Sequence, residues 1–125
     1  GLCLGPVNTA AVHALAYPLG ARFHVPHGVA NALLLPHVMD FNLPVVADRY
    51  REIARAMNAP NDDAVTAAQE LTERVGTNKR LRDLGIEQSD IPILAADAIE
   101  VTRLIVNNPR EVTRHDAERI YEAAW

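Results

Sequence analysis

An apolar run between two prolines constrains the fold of this chain most strongly. Residues 29–35 read VANALLL, preceded by Pro26, His27 and Gly28 and followed by Pro36. A helix over this run would present apolar side chains on nearly every side, and a helix of that kind is a buried one. The sequence therefore predicts a central helix that opens at His27 or Gly28 and is surrounded by the other elements.

The remaining chain predicts further helices. Apolar residues recur at helical spacing over residues 9–17, 44–57, 62–75 and 90–106, and again after Thr113. We find no convincing strand pattern or hairpin turn. The predicted fold is therefore all-α, a bundle-like domain of about six to seven helices.

Prolines and capping residues set the predicted helix boundaries. Pro18 should end the first helix, because the residue before a proline is driven away from the α conformation. Pro36 should kink or restart the central helix, and a break at residues 43–44 should begin an amphipathic helix. Ser89 is the predicted cap of the helix over residues 90–106.

Two later helices carry clear capping signals. Asp62 or Asp63 can cap the helix that Gly76 stops. Thr113 precedes Asp116 by three residues, a spacing that allows the two side chains to cap the last helix together.

The first third of the chain is rich in histidine. Four of the five histidines fall within residues 13–37, and His13 and His27 flank two compact turns. Imidazole is a common ligand of borderline metals such as zinc and iron. The pair is a candidate half of a metal site, although the chain has neither a zinc-finger spacing nor an HExxH motif. In the alternative interpretation, both rings only make hydrogen bonds at helix ends.

The same stretch carries a family signature. Residues 13–42 read HALAYPLGARFHVPHGVANALLLPHVMDFN, which resembles the run HxxxHPLGxxxxxPHGxxNAxxLPxVxxxN of the iron-containing (group III) alcohol dehydrogenases. The residues in register are His13, Pro18, Leu19, Gly20, Pro26, His27, Gly28, Asn31, Ala32, Leu35, Pro36, Val38 and Asn42. The resemblance continues through residues 50–54, 81–85 and 108–110.

This resemblance implies a fold, a reaction and a site. The fold would be the helical C-terminal part of a dehydroquinate synthase-like enzyme, with NAD(P) bound mainly by an N-terminal domain that is absent here. The reaction would transfer a hydride between NAD(P) and a small alcohol or aldehyde, whose oxygen is polarised by Fe(II) or Zn(II). His13 and His27 match two metal ligands of the family, and the other two, an aspartate and a histidine, would precede this chain.

Tyr17 departs from the family pattern. Many members carry a histidine at this position, one turn after His13, where it lines the substrate and nicotinamide pocket. Tyrosine keeps a hydroxyl group but does not titrate near neutral pH, so a proton relay through an imidazole is not expected here. Tyr17 is interpreted either as a wall of the pocket or as a plain packing residue.

Composition argues against several other functions. The formal charge is −4, and the twelve basic residues form no basic stripe, so nucleic-acid binding is not expected. No apolar run reaches the roughly 18 residues that span a bilayer, so no membrane association is expected. The single cysteine, Cys3, fits a reducing, cytoplasmic location.

Two functional hypotheses remain. In the first, residues 1–125 are one helical domain of a larger two-domain enzyme. Without the nucleotide-binding domain and two of the four metal ligands, this domain would be inactive alone. That enzyme is expected to be a homo-oligomer. In the second, the chain is a stand-alone helical interaction or oligomerisation module derived from the same family. The register of the histidine, proline and glycine residues favours dehydrogenase ancestry.

Overall fold

A computed structural model describes residues 8–125, which form six α-helices and three short 3₁₀ turns and contain no strand. The helices are α1 Ala11–Phe23, α2 His27–Ala56, α3 Ala64–Arg74, α4 Ile91–Ile99, α5 Thr102–Ile105 and α6 Arg114–Ala124. The 3₁₀ turns are Pro60–Asp62, Leu81–Leu84 and Gln88–Asp90. The predicted all-α fold of six to seven helices is confirmed. Cys3 lies outside the described residues.

The central helix of the fold is α2, which packs against α1, α3 and α6, while α4 packs against α1 and α6. On α2, Ala30, Leu33 and Leu34 are at most 3% exposed and belong to one apolar core. The predicted burial of residues 29–35 is therefore confirmed for this face. Leu35, on another side of α2, is 38% exposed, because no described element covers it.

The second half of α2 is less buried than its pattern predicts. Val45 is 54% exposed and Met57 is 42% exposed, whereas Ala54 is fully buried. The amphipathic spacing over residues 44–57 correctly indicates a helix, but only a small part of its apolar face meets the core.

Pro18 lies inside α1, so the prediction that it ends the first helix is wrong. The helix continues to Phe23 and ends where His24 adopts a left-handed backbone with φ of 56°. A proline inside a helix removes one backbone hydrogen bond and crowds the preceding turn. Burial offsets that cost here, because Pro18 and its neighbour Leu19 both lie in the core region.

The prolines of α2 also fail to break it where predicted. The helix runs through Pro36 and Pro44, and its one residue with non-helical angles is Val46, with φ −131° and ψ 20°. The predicted changes of direction at Pro36 and at residues 43–44 are thus replaced by a single kink at Val46. Pro36 is itself buried, and the packing around it keeps the helix continuous.

The predicted helix over residues 90–106 is divided in two. α4 ends at Ile99, and Val101 has non-helical angles (φ −80°, ψ 54°) before the four-residue α5 begins. After this break Leu104 is fully buried, while Val106 is 75% exposed. Ser89 does not cap α4, because its hydroxyl donates to the Glu87 carboxylate instead (3.4 Å).

The capping signals of α3 and α6 are confirmed. The Asp63 carboxylate accepts hydrogen bonds from the N–H groups of Val65 and Thr66 at the start of α3. Thr113 and Asp116 cap α6 reciprocally, each side chain bonding the other residue's backbone N–H. These caps need only residues that are neighbours in sequence, which explains why they are readable from the sequence.

By length and composition, α2 could cross a membrane. It has 30 residues and an 18-residue window of mean hydropathy 1.3, of which 33% is buried within the structure. The expectation concerned an unbroken apolar run, and polar residues do interrupt α2. Averaged over the window, its hydropathy nevertheless meets the criterion for a membrane-spanning helix. The core helix of a soluble protein meets the same criteria, so this feature is weak support for a membrane segment.

A buried tyrosine ties α6 to α1. The Tyr121 hydroxyl donates a hydrogen bond of 2.6 Å to the carbonyl oxygen of Leu15, and both residues are fully buried. Burial raises the pKa of Tyr121, so its hydroxyl remains a donor at neutral pH. The bond fixes the backbone of α1 two residues from His13.

Removing this hydroxyl should destabilise the fold. We expect Tyr121→Phe to lower the free energy of unfolding by about 1–2 kcal/mol, because the Leu15 carbonyl loses its buried donor. Tyr17→Phe is the control, since Tyr17 is 38% exposed, and its effect should stay within about 0.5 kcal/mol. Urea denaturation of both variants measures the difference, and equal effects would contradict a specific role for the Tyr121 bond.

Candidate metal centre

The end of α1 and the start of α2 bring the two candidate ligands together. The left-handed His24 closes α1 by donating its N–H to the carbonyl oxygen of Gly20 (3.1 Å). α2 begins three residues later, at His27, and packs on α1. As a result, the ring centres of His13 and His27 lie 5.2 Å apart, with 55° between the ring planes.

This arrangement fits two ligands of one metal ion. Imidazoles bound to a tetrahedral ion at metal–nitrogen distances of about 2.1 Å have ring centres roughly 5 Å apart. Burial lowers the pKa of His13, and repulsion from His27 lowers it further. Both effects favour the neutral ring, which is the form that binds metal. The described residues, 8–125, contain no group of three or more histidine, cysteine or acidic residues that could complete a site.

Tyr17 lies beside the histidine pair. Its ring centre is 6.0 Å from that of His27, at 35° between planes. The residue is 38% exposed, and its hydroxyl accepts a 3.4 Å hydrogen bond from the guanidinium group of Arg103. Tyr17 therefore borders the candidate site, and its role there stays a prediction. The sequence does not predict the contact between Tyr17 and Arg103, because no local signal relates two residues 86 positions apart.

Asn31 holds the His27 ring from one turn along α2. Its amide nitrogen lies 2.8 Å from the His27 carbonyl oxygen and 3.1 Å from His27 Nε2. The sequence spacing of four residues predicts that Asn31 could orient His27, and the contact exists. The Asn31 Oδ1 atom is buried and has no hydrogen-bond partner among residues 8–125.

An apolar groove of about 330 Å³ lies next to His13. Its walls come from α1, from α2 and from the two residues before α1: Thr9, Ala10, Val12, His13, Asn31, Ala32 and Leu35. The groove thus reaches His13 and Asn31, and most of its surface is apolar.

The other histidines lie apart from the pair. His24 is exposed and forms the end of α1. Burial lowers the pKa of the half-buried His37, while the nearby charge of Asp40 opposes that change. His115 is exposed on α6, and its Nδ1 atom lies 3.9 Å from Oε2 of Glu118.

The segment at residues 108–110 has structural hydrogen bonds. Asn108 and the buried Asn42 donate amide hydrogen bonds to each other (2.8 and 3.0 Å). Arg110 donates to the carbonyl oxygen of Phe41 (2.6 Å) and stacks its guanidinium group 4.0 Å from that ring centre. These contacts tie the segment to α2, so its polar side chains have a structural role.

Known proteins match both the sequence and the fold. Residues 1–125 match the family model described as "Fe-containing alcohol dehydrogenase family, C-terminal". The chain belongs to this family. Lactaldehyde reductase of Escherichia coli (strain K12) is 40% identical over 134 residues, which cover 100% of this chain and 35% of the relative. 1,3-Propanediol dehydrogenase of Citrobacter freundii is 33% identical over 134 residues, covering 100% of this chain and 34% of that protein.

Solved structures of the family confirm the helical fold. An alcohol dehydrogenase from Oenococcus oeni superposes with a TM-score of 0.87 at 32% identity, covering 94% of this chain and 33% of that chain. A 1,3-propanediol oxidoreductase gives a TM-score of 0.86 at 34% identity, with the same coverage. The chain spans about a third of the length of these relatives. The predicted relationship to iron-type alcohol dehydrogenases is confirmed.

The close approach of His13 and His27 should affect the pKa of His13. In a metal-free sample, His13 should titrate below the ordinary histidine range of about 6.5. His27→Ala should raise the pKa of His13 only part of the way back, because repulsion from His27 is removed while the larger effect, burial, remains. NMR titration of the His13 ring protons measures both values, and a His13 pKa unchanged by His27→Ala would argue against a close pair.

Proposed function

We propose that this chain provides part of the metal centre of an NAD(P)-linked alcohol dehydrogenase, in which His13 and His27 bind the same Fe(II) or Zn(II) ion. The observation that carries the proposal is the 5.2 Å separation of the two imidazole rings in a chain that belongs to the iron-type alcohol dehydrogenase family. Relatives of this family are oxidoreductases that act on alcohols or aldehydes.

Each residue of the site would have a separate part in the reaction. When bound, the ion would act as a Lewis acid toward the oxygen of the alcohol or aldehyde. His13 and His27 would hold it through neutral imidazole nitrogens. NAD(P), bound mainly by the rest of the enzyme, would accept or donate the hydride. The Tyr17 hydroxyl, held by Arg103, could donate to or accept from a polar group at the mouth of the site.

The groove beside His13 supports a small substrate. Its lining is almost entirely apolar, and its volume is about 330 Å³. An alkyl group could lie against Val12, Ala32 and Leu35 while its oxygen is directed toward the histidine pair. We therefore propose small alcohols or aldehydes as substrates of the complete enzyme.

Zinc binding by the purified chain tests the histidine assignment. We expect weak binding of one Zn²⁺ ion, because two imidazoles leave half of a four-ligand site unfilled. His13→Ala and His27→Ala should each weaken that binding by at least about tenfold. His115→Ala removes an exposed histidine on α6 and should leave it unchanged. Isothermal titration calorimetry measures all four proteins, and equal binding by the three variants would contradict the proposal.

The chain alone should not catalyse the reaction. Residues 8–125 contain no strand for the Gly-rich strand–helix unit that binds a dinucleotide, and His13 and His27 supply just half of a four-ligand metal site. We expect no oxidation of small primary alcohols with NAD or NADP by the purified chain, even with added Fe²⁺ or Zn²⁺. Measurable turnover that is lost in His13→Ala would contradict this expectation.

We also propose self-association as a second candidate function. Leu35 is 38% exposed and Val45 is 54% exposed on α2, and uncovered apolar surface of this kind favours association. Sedimentation velocity over a range of concentrations tests this proposal. A concentration-dependent dimer that is weakened by Leu35→Ser supports self-association, and a monomer at every concentration rejects it.

A further inference from the structure

The amide of Asn31 is bound at two points on the same histidine. Its nitrogen lies 2.8 Å from the carbonyl oxygen of His27 and 3.1 Å from Nε2 of the His27 ring. A side-chain amide nitrogen can donate two hydrogen bonds, one through each of its hydrogens, and it accepts no hydrogen bond. One hydrogen can therefore be directed to the carbonyl oxygen, and the other to the ring nitrogen.

The carbonyl contact fixes which way the amide faces. If the amide were turned over, Oδ1 of Asn31 would lie where the nitrogen is now, opposite the carbonyl oxygen of His27, and two acceptors would face each other. The nitrogen must therefore occupy the position near His27. In this orientation Oδ1 is buried and meets no hydrogen-bond donor in the part of the chain that the structure describes.

The amide orientation decides the proton position on His27. Since the amide nitrogen donates, Nε2 must be the acceptor and carry a lone pair. In the neutral ring, the single proton must then be on Nδ1, because a neutral imidazole has one donor and one acceptor nitrogen. Free neutral histidine prefers the opposite tautomer, with its proton on Nε2, so the contact with Asn31 reverses the intrinsic preference.

We infer that Asn31 is a positioning residue that selects the Nδ1–H tautomer of His27 and so keeps Nε2 unprotonated, the state that a metal ion requires. The functional part of this inference rests on the metal-binding role proposed above. A ligand histidine whose tautomer is set by a hydrogen bond is a general feature of metal sites, where the bond usually involves the nitrogen that does not bind the ion. Here the amide would occupy the ligating nitrogen itself until the ion replaces it.

Nitrogen NMR of the metal-free chain tests the tautomer directly. The chain is labelled with ¹⁵N and observed near pH 8.5, about two units above the ordinary histidine pKa, and the His27 signals are identified by their absence in His27→Ala. We expect a protonated, pyrrole-like Nδ1 and an unprotonated, pyridine-like Nε2. A pyrrole-like Nε2 in the unsubstituted chain overturns the inference without need of any further variant.

Substitutions of Asn31 provide the matched comparison. Asn31→Ala removes the donor, so both nitrogen shifts of His27 should move toward the tautomer with its proton on Nε2. Asn31→Asp replaces the donor by an acceptor and should complete that reversal. His37 lies on the same helix but away from this contact, so its signals should not change. An unchanged His27 tautomer in both folded variants overturns the inference.

Added Zn²⁺ separates this inference from the proposed function. In the unsubstituted chain, the shift of Nε2 should respond to the ion while Nδ1 remains protonated, and a response at Nδ1 would overturn the inference. If no histidine signal responds to Zn²⁺, the metal-binding proposal fails, while the metal-free spectra still decide whether Asn31 selects the tautomer.

Discussion

Burial of one face of α2 is the constraint on which the other helices depend. Leu33 and Leu34 are nearly inaccessible to solvent, and apolar side chains of this size each contribute about 1.5–3 kcal/mol when removed from water. To cover them, α1 and α6 pack on α2. Because the connection from α1 to α2 is short, this packing also fixes the positions of His13 and His27. The packing of the core therefore forms the candidate site.

Local signals in the sequence predict much of this structure. Asp63, Thr113 and Asp116 cap helices as expected, because a cap depends only on residues within one turn. The all-α fold follows from helical spacing in the same way. The predicted neighbours His13 and His27 do meet, although the sequence suggested this through the family resemblance more than through their separation of fourteen residues.

Local signals fail where contacts between distant residues decide the structure. Pro18 and Pro36 were expected to interrupt helices, yet both are buried within them, because tertiary packing outweighs the local cost of a proline. The Tyr121–Leu15 bond joins residues 106 positions apart, and Tyr17 meets Arg103 across 86 positions. Only the fold brings such partners together, so no pattern in the sequence could indicate them.

The central claim is that His13 and His27 share one metal ion. Anomalous diffraction at the zinc absorption edge, from crystals of this chain grown with Zn²⁺, tests it most directly. We expect an anomalous peak about 2.1 Å from one nitrogen of each ring, with Nε2 as the ligand from His27. Zinc bound to only one of the two rings, or zinc bound at His37 or His115 with none at this pair, would contradict a shared metal ion.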